Sequence, residues 1–192
     1  MTENWRGKIG AMSKDRMDLY LLGNSNVRIA AIDDSGMPHI VPAWYHWDGE
    51  SFYFVLRERA EIAKLMSRRP EVGIVIDEGS VADEANDRFF EMPKVWAQGR
   101  AEVIEQPNTG GKWVEYARAM AIRYLGPNGP EYISASIEQP RWLFKLTPTV
   151  LKTWEGVGWA KRYWVDSEKG QSYEEVHEAR RSGELLKDKP LD

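Results

Sequence analysis

The residues of this chain best placed to do chemistry lie in the run Leu56-Arg-Glu-Arg-Ala-Glu-Ile-Ala-Lys64, where a strand is expected to end and a helix to begin. At such a junction the first backbone N–H groups of the helix have no intrahelical acceptor, and the positive end of its dipole favours an anion. Arg57, Arg59 and Lys64 add charge-assisted donors, so the run reads as a phosphate site. The competing reading is exposed surface charge, with Glu61 and Lys64 forming an ordinary i, i+3 pair. A second segment, His39-Ile-Val-Pro-Ala-Trp44, looks like a strand interrupted by Pro42, which removes one ladder donor and implies a bulge or an edge position. Backbone groups freed beside Pro42 suit a planar heterocycle with amide-like donors and acceptors, and Trp44 and Trp47 supply aromatic surface nearby.

Other chemistries find little support. With no Cys there is no disulfide, thiolate metal site or thiol nucleophile, so any redox chemistry requires a cofactor. His39 and His46 sit at an odd separation on one expected strand and point to opposite faces, so no metal site is expected from them. Glu174-x-x-His177 has the spacing of a di-iron ligand pair but lacks the second motif and further Glu residues, and reads as solvated helix surface. There is no G-x-G-x-x-G and no G-x-S-x-G, and Gly111-Lys112 lacks both the first glycine and the following Ser/Thr of a P-loop. The acidic pairs Asp33-Asp34, Asp77-Glu78 and Asp83-Glu84 are the residues of turns and loops.

The chain has 192 residues, a formal net charge of −4 and nine Trp. That length suits one domain with a terminal appendage. The mild acidity argues against a nucleic-acid partner, since phosphate neutralisation needs an excess of Lys and Arg. Charges at Glu3, Arg6 and Lys8 leave no apolar leader, and no stretch nears the ~20 apolar residues of a membrane span, so a cytoplasmic protein without a membrane partner is expected.

The elements that must position the cations follow from periodicity. Ser13 caps a short helix with Met17, Tyr20 and Leu21 on one face. Strands are expected over Val27–Ile32, from about Met37 to Trp47 and over Ser51–Arg57, joined by Asp33-Asp34-Ser35-Gly36 and Asp48-Gly49 into a three-stranded meander. A helix over 60–67, a strand over 72–77, an exposed acidic loop over 78–92 and a strand over 94–105 follow. Thr109–Leu125 reads as a helix stopped by Gly126-Pro-Asn-Gly-Pro130, and the extended runs Arg141–Thr147 and Thr149–Glu155 flank Pro148. Residues 156–192 form an appendage with Trp159, Trp164 and a charged helix over about 173–186. The expected fold is mainly β (α+β), a six-stranded antiparallel barrel with flanking helices over residues 1–155.

The ordered set of Arg28 to Phe54, then Arg57, Arg59 and Lys64, then Arg69-Pro-Glu-Val72, and then Val95-Trp-Ala-Gln-Gly-Arg-Ala-Glu-Val103 resembles the pyridoxamine 5'-phosphate oxidase-like, FMN-binding split-barrel superfamily. The resemblance runs from about residue 10 to 155, ending at Thr153-Trp154. It implies a homodimer with FMN bound in clefts between subunits. Arg57, Arg59 and Lys64 match the family's phosphate-binding segment, and Val41, Pro42, Ala43 and Trp44 match the strand beside the isoalloxazine ring. Lys94 stands where the family usually has a Gln contacting the flavin; Gln98, on the same strand face, is the expected substitute, and Trp154 is a further cofactor candidate. Lys152-Thr-Trp-Glu-Gly156 echoes part of the signature of the true vitamin oxidases, but Val157-Gly-Trp-Ala-Lys-Arg-Tyr163 has no Arg-x-His-x-Arg. The chain is more similar to the branch that uses FMN or the deazaflavin coenzyme (F-420) for hydride transfer to small molecules. The resemblance thus implies a flavin-dependent oxidoreductase acting on a small, apolar or aromatic substrate. A deazaflavin-dependent reductase and a non-catalytic flavin or haem carrier are the alternatives. No catalytic residue is assigned; Tyr45, His46 and Tyr163 are candidates for delivering a proton.

Overall fold

Alternating apolar residues in Val27–Ile32 form the first strand, β1, which buries Val27, Ile29 and Ala31 and turns Arg28 and Ile32 outward. The computed structural model describes residues 11–77 and 93–155 of the chain. The expected loop 78–92, the appendage 156–192 with its helix, and Trp159, Tyr163, Trp164 and His177 lie outside the described residues. Before β1, helix α1 (Lys14–Leu21) is capped by the Ser13 hydroxyl, which accepts from the Arg16 N–H at 3.2 Å. After β1 come β2 (Pro38–Ala43), β3 (His46–Trp47), β4 (Phe52–Arg57), α2 (Glu61–Arg68), β5 (Glu71–Asp77), β6 (Lys94–Asn108), α3 (Trp113–Leu125), α4 (Pro130–Ala135) and β7 (Arg141–Trp154). Every strand pairing is antiparallel, in the order β2-β1-β5-β6-β7-β4-β3. The antiparallel split barrel with flanking helices is therefore the fold, with seven strands instead of six.

The expected three-stranded meander does not form. The run from Met37 to Trp47 breaks at Trp44-Tyr45, leaving β2 on one edge of the sheet and β3 on the other. Side chains at the break explain it. The Tyr45 side chain is fully buried and its hydroxyl donates to the Leu21 carbonyl at 3.0 Å, while Trp44 stacks on Tyr124 at 4.9 Å. The Arg123 guanidinium of α3 completes the clamp by donating to the carbonyls of Leu21 and Tyr45. Pro42 thus lies in an edge strand, where the missing N–H costs no ladder bond on its open side. Beyond the break, Asp48-Gly49 does make the expected hairpin turn, with Gly49 at φ 99° and the Asp48 carboxylate accepting from the N–H of Glu50 and Ser51.

β4 pairs with β7 across its whole length, from Phe52↔Leu146 to Arg57↔Arg141. β7 is one strand through Pro148, because the ladder to β6 shifts there from Gln98↔Val150 to Gly99↔Pro148 and absorbs the missing donor in a bulge. Gly99 is required at this bulge, since a Cβ would stand 2.8 Å from the Thr147 carbonyl oxygen.

The main core lies inside the sheet, where Ile29, Phe52, Phe54, Ile74 and Phe144 meet Met17 and Leu21 of α1 and Leu65 and Met66 of α2. A second core lies under α3 and α4, with Trp113, Ala117, Ala121 and Ile133 packed against Tyr53 and Leu143. α3 begins at Trp113 instead of Thr109 because the Glu105 carboxylate accepts from the backbone N–H of Lys112 (3.0 Å) and Trp113 (2.9 Å). α4 was not expected: Pro130, read as part of a helix stop, is instead its first residue, where proline suits a helix start. No helix among the described residues is long and apolar enough to cross a membrane.

Candidate functional site

The end of β2, the end of β4 and the start of α2 face α3 and α4 across a cavity of about 630 Å³. Pro42, Ala43 and Trp44 form one side, and Val55, Leu56 and Arg57 form another, with Arg59 and Ala60 leading into α2. Ala117 and Met120 of α3, Tyr132 and Ile133 of α4, Arg141 of β7, and Asn26 complete the lining. No Asp or Glu lines it.

Arg57 sits at the last position of β4, opposite Arg141 on β7, so the ladder register brings two guanidiniums to one end of the cavity. The Arg57 guanidinium donates to the Tyr132 hydroxyl at 3.2 Å. That bond holds the phenol below its ordinary pKa against the opposing effect of burial, and the positive charges of Arg57 and Arg141 act in the same direction. Arg141 is only 5% exposed; it donates to the Ser136 hydroxyl at 2.6 Å and lies 5.1 Å over the Trp113 ring. Its Nε is buried without a hydrogen-bond partner. The Trp44 ring, stacked on Tyr124, meets Tyr132 edge-on at 6.1 Å and forms a rigid aromatic wall.

Most arginines elsewhere are paired: Arg16 with Glu155, Arg28 with Asp77, Arg68 and Arg69 with Asp34, and Arg100 with Glu71, while Arg123 is held by the Leu21 and Tyr45 carbonyls and Arg118 is exposed on α3. Arg57, Arg59 and Arg141 make no ion pair among the described residues. The helix starts differ as well. α3 has its first amides satisfied by Glu105, whereas α2 begins at Ala60 with no side-chain cap, at the cavity rim. The arrangement is electropositive, aromatic on one wall and apolar on its floor.

Of the residues expected to form a site, the structure brings together Pro42, Ala43, Trp44, Arg57 and Arg59. Val41 packs against the core beside them. Lys64 makes the ordinary i, i+3 pair with Glu61 at 3.6 Å and does not line the cavity. Gln98 lies in a different concavity, on the face of β1, β5 and β6. Lys94 and Trp154 are register partners at the far end of the β6–β7 ladder. Neither of the described proton-delivery candidates lines the cavity: Tyr45 is buried and His46 packs edge-on against Tyr53 and Tyr116. Burial, and then the nearby Arg123 charge, lowers the His46 pKa.

Sequence reading missed Arg141 and Tyr132. A signal for Arg141 existed, since it occupies an inward position in the alternation of an apolar strand, where a charge needs a reason. Tyr132 gave none, because its helix was not recognised.

The sequence model described as pyridoxamine 5'-phosphate oxidase matches residues 14–155 of the chain. No curated protein matches it in sequence. Among solved structures, the conserved hypothetical protein Rv2991 of Mycobacterium tuberculosis is similar with a TM-score of 0.62 at 19% identity, over 80% of this chain and 90% of that one. The haem storage protein HutZ of Vibrio cholerae is similar with a TM-score of 0.54 at 18% identity, over 76% and 96% of the two chains. An F-420 reductase follows at a TM-score of 0.52 and 19% identity, over 70% and 94%. At these identities the likeness is one of fold.

Proposed function

The chain belongs to the pyridoxamine 5'-phosphate oxidase family, and on that premise we propose that it is a flavin-dependent oxidoreductase whose cavity takes FMN. The observation that carries this reading is the acid-free cavity in which Arg57 and Arg59 stand at the uncapped start of α2 beside the stacked Trp44 wall. Its residues fit the group: about 630 Å³ is within the range of cofactor sites, and the cations lack counter-charges that a phosphate would provide. Arg57, Arg59 and the first-turn amides of α2 hold the phosphate. The edge strand around Val41, Pro42 and Ala43 orients the ring through its unpaired backbone groups, and Trp44 covers one side. Val55, Met120 and Ile133 exclude water and give the substrate side its apolar character.

When bound, the flavin supplies the hydride chemistry, so no side chain has to act as nucleophile. The protein works as a cytoplasmic homodimer. Its apposed surface is the face of β1, β5 and β6, where Ile32 and Ile40 are exposed beside Gln98. Through that face Gln98, Lys94 and Trp154 reach the cofactor of a second copy.

An absorbance spectrum of the purified protein, with mass analysis of the released ligand, tests the assignment. A flavin spectrum and the mass of FMN are expected. A colourless protein that binds added deazaflavin overturns the choice of FMN, and a haem spectrum without turnover by any reductant overturns the oxidoreductase.

A further inference from the structure

Charge in the cavity does not balance with a flavin phosphate alone. Three guanidiniums, Arg57, Arg59 and Arg141, and the start of α2 converge on a lining without acid. The helix end adds roughly half a positive charge, whereas a phosphate monoester brings about −1.5 to −2. Glu58 and Glu138 border Arg57 and Arg59 in an adjoining recess, so the excess rests on Arg141. Arg141 is the most enclosed of the three, at 5% exposure, and a buried cation without a counter-ion is strongly unfavourable. Its contacts do not neutralise it: Ser136 is an uncharged acceptor, the Trp113 face returns only part of the lost hydration, and Nε has no partner.

We propose that Arg141, together with Tyr132 and Arg57, forms a second oxyanion subsite in this cavity, which receives a carboxylate on the small-molecule substrate. The proposal rests on the FMN reading above and narrows its substrate class to small aromatic or apolar carboxylates. Arg141 supplies a planar fork suited to a carboxylate, fixed by Ser136 and Trp113 before the ligand arrives. Tyr132, held by Arg57, presents a hydroxyl at the same place. Arg59, two residues further on, stays with α2 for the cofactor phosphate, and Arg57 stands between the two groups, bonded to the phosphate on one side and to Tyr132 on the other.

The test titrates FMN-loaded protein with benzoate and, in parallel, with its neutral analogue benzamide, following the perturbation of the flavin spectrum. Benzoate is expected to bind about tenfold tighter or better, as for loss of one hydrogen bond to a charged group. Arg141→Met is expected to erase that preference while FMN affinity stays within about threefold, and Arg59→Ala to do the reverse. Equal affinities of the native protein for benzoate and benzamide overturn the proposal, and this comparison needs no variant to fold. An Arg141→Met protein that loses FMN as severely as Arg59→Ala also overturns it, since Arg141 then serves the phosphate. Should the protein take up no flavin, the FMN reading fails by itself; the same two titrations followed by tryptophan fluorescence still decide the subsite.

Discussion

On the outer face of β1, β5 and β6, Arg28 is paired with Asp77 and Arg100 with Glu71, each across neighbouring strands. In the cavity between β2, β4 and α4, Arg57 and Arg141 are also cross-strand neighbours, yet between them stands a phenol and no carboxylate. Both concavities are of ligand size, about 780 and 630 Å³. Volume does not tell them apart; compensation does. A surface on which each cation has its acid is electrostatically complete, whereas one that gathers cations and withholds acids stores an unmet demand for an anion. The same contrast separates the helix starts, α3 closed by Glu105 and α2 left open.

The contrast can be broken by experiment. The largest effect is expected from Trp113→Ala, which removes a fully buried ring and the face under Arg141; melting should show a loss of about 3–5 kcal/mol. Next is Arg57→Ala with Arg59→Ala, expected to weaken FMN by about 100-fold in a binding titration without lowering the melting temperature, because no ion pair is lost. Arg28→Ala with Arg100→Ala, on the proposed dimer face and outside the phosphate cradle, should weaken FMN much less, by under about tenfold, and cost at most about 1 kcal/mol per exposed pair in denaturant unfolding. If these two double variants behave alike, compensation is not what distinguishes the concavities.

Two smaller effects depend on pH. Tyr132 ionises below the ordinary phenol range, and its phenolate would oppose an anion, so oxyanion affinity should fall as pH rises through that lowered value and Tyr132→Phe should abolish the fall. His46, outside the cavity, binds its proton less tightly in the folded than in the unfolded chain. Its contribution to stability is therefore complete above the unfolded value of 6.5 and is lost as pH drops below it towards the folded value; His46→Gln should flatten that decline in urea titrations.

What was legible in the sequence was local. The hairpin of β1 and β2 shows in its alternation and turn residues, and Arg57 and Arg59 show as cations at a strand-to-helix junction. The break at Trp44-Tyr45 was hidden because the apolar pattern runs straight through it, and only Leu21, Arg123 and Tyr124, remote in sequence, pull the chain aside. In sequence Arg141 is one more residue of a strand, since its partners Arg57, Ser136 and Trp113 meet it only after β7 has paired with β4. Pro148 looks like a strand end in sequence, although a bulge opposite Gly99 accommodates it.

The position of β7 between β6 and β4 also sets an order of events during synthesis. β3 and β4 have no place in the sheet until residues 141–154 have emerged and paired with β6, so the hairpin made from residues 46–57 must wait for a strand that begins more than eighty residues later. Such non-local closure is slow and leaves a free strand edge exposed in the meantime. Arg57 and Arg141 face each other only at that final step, so a ribosome-bound chain that stops short of Arg141 carries Arg57 and Arg59 but not the pair of facing guanidiniums.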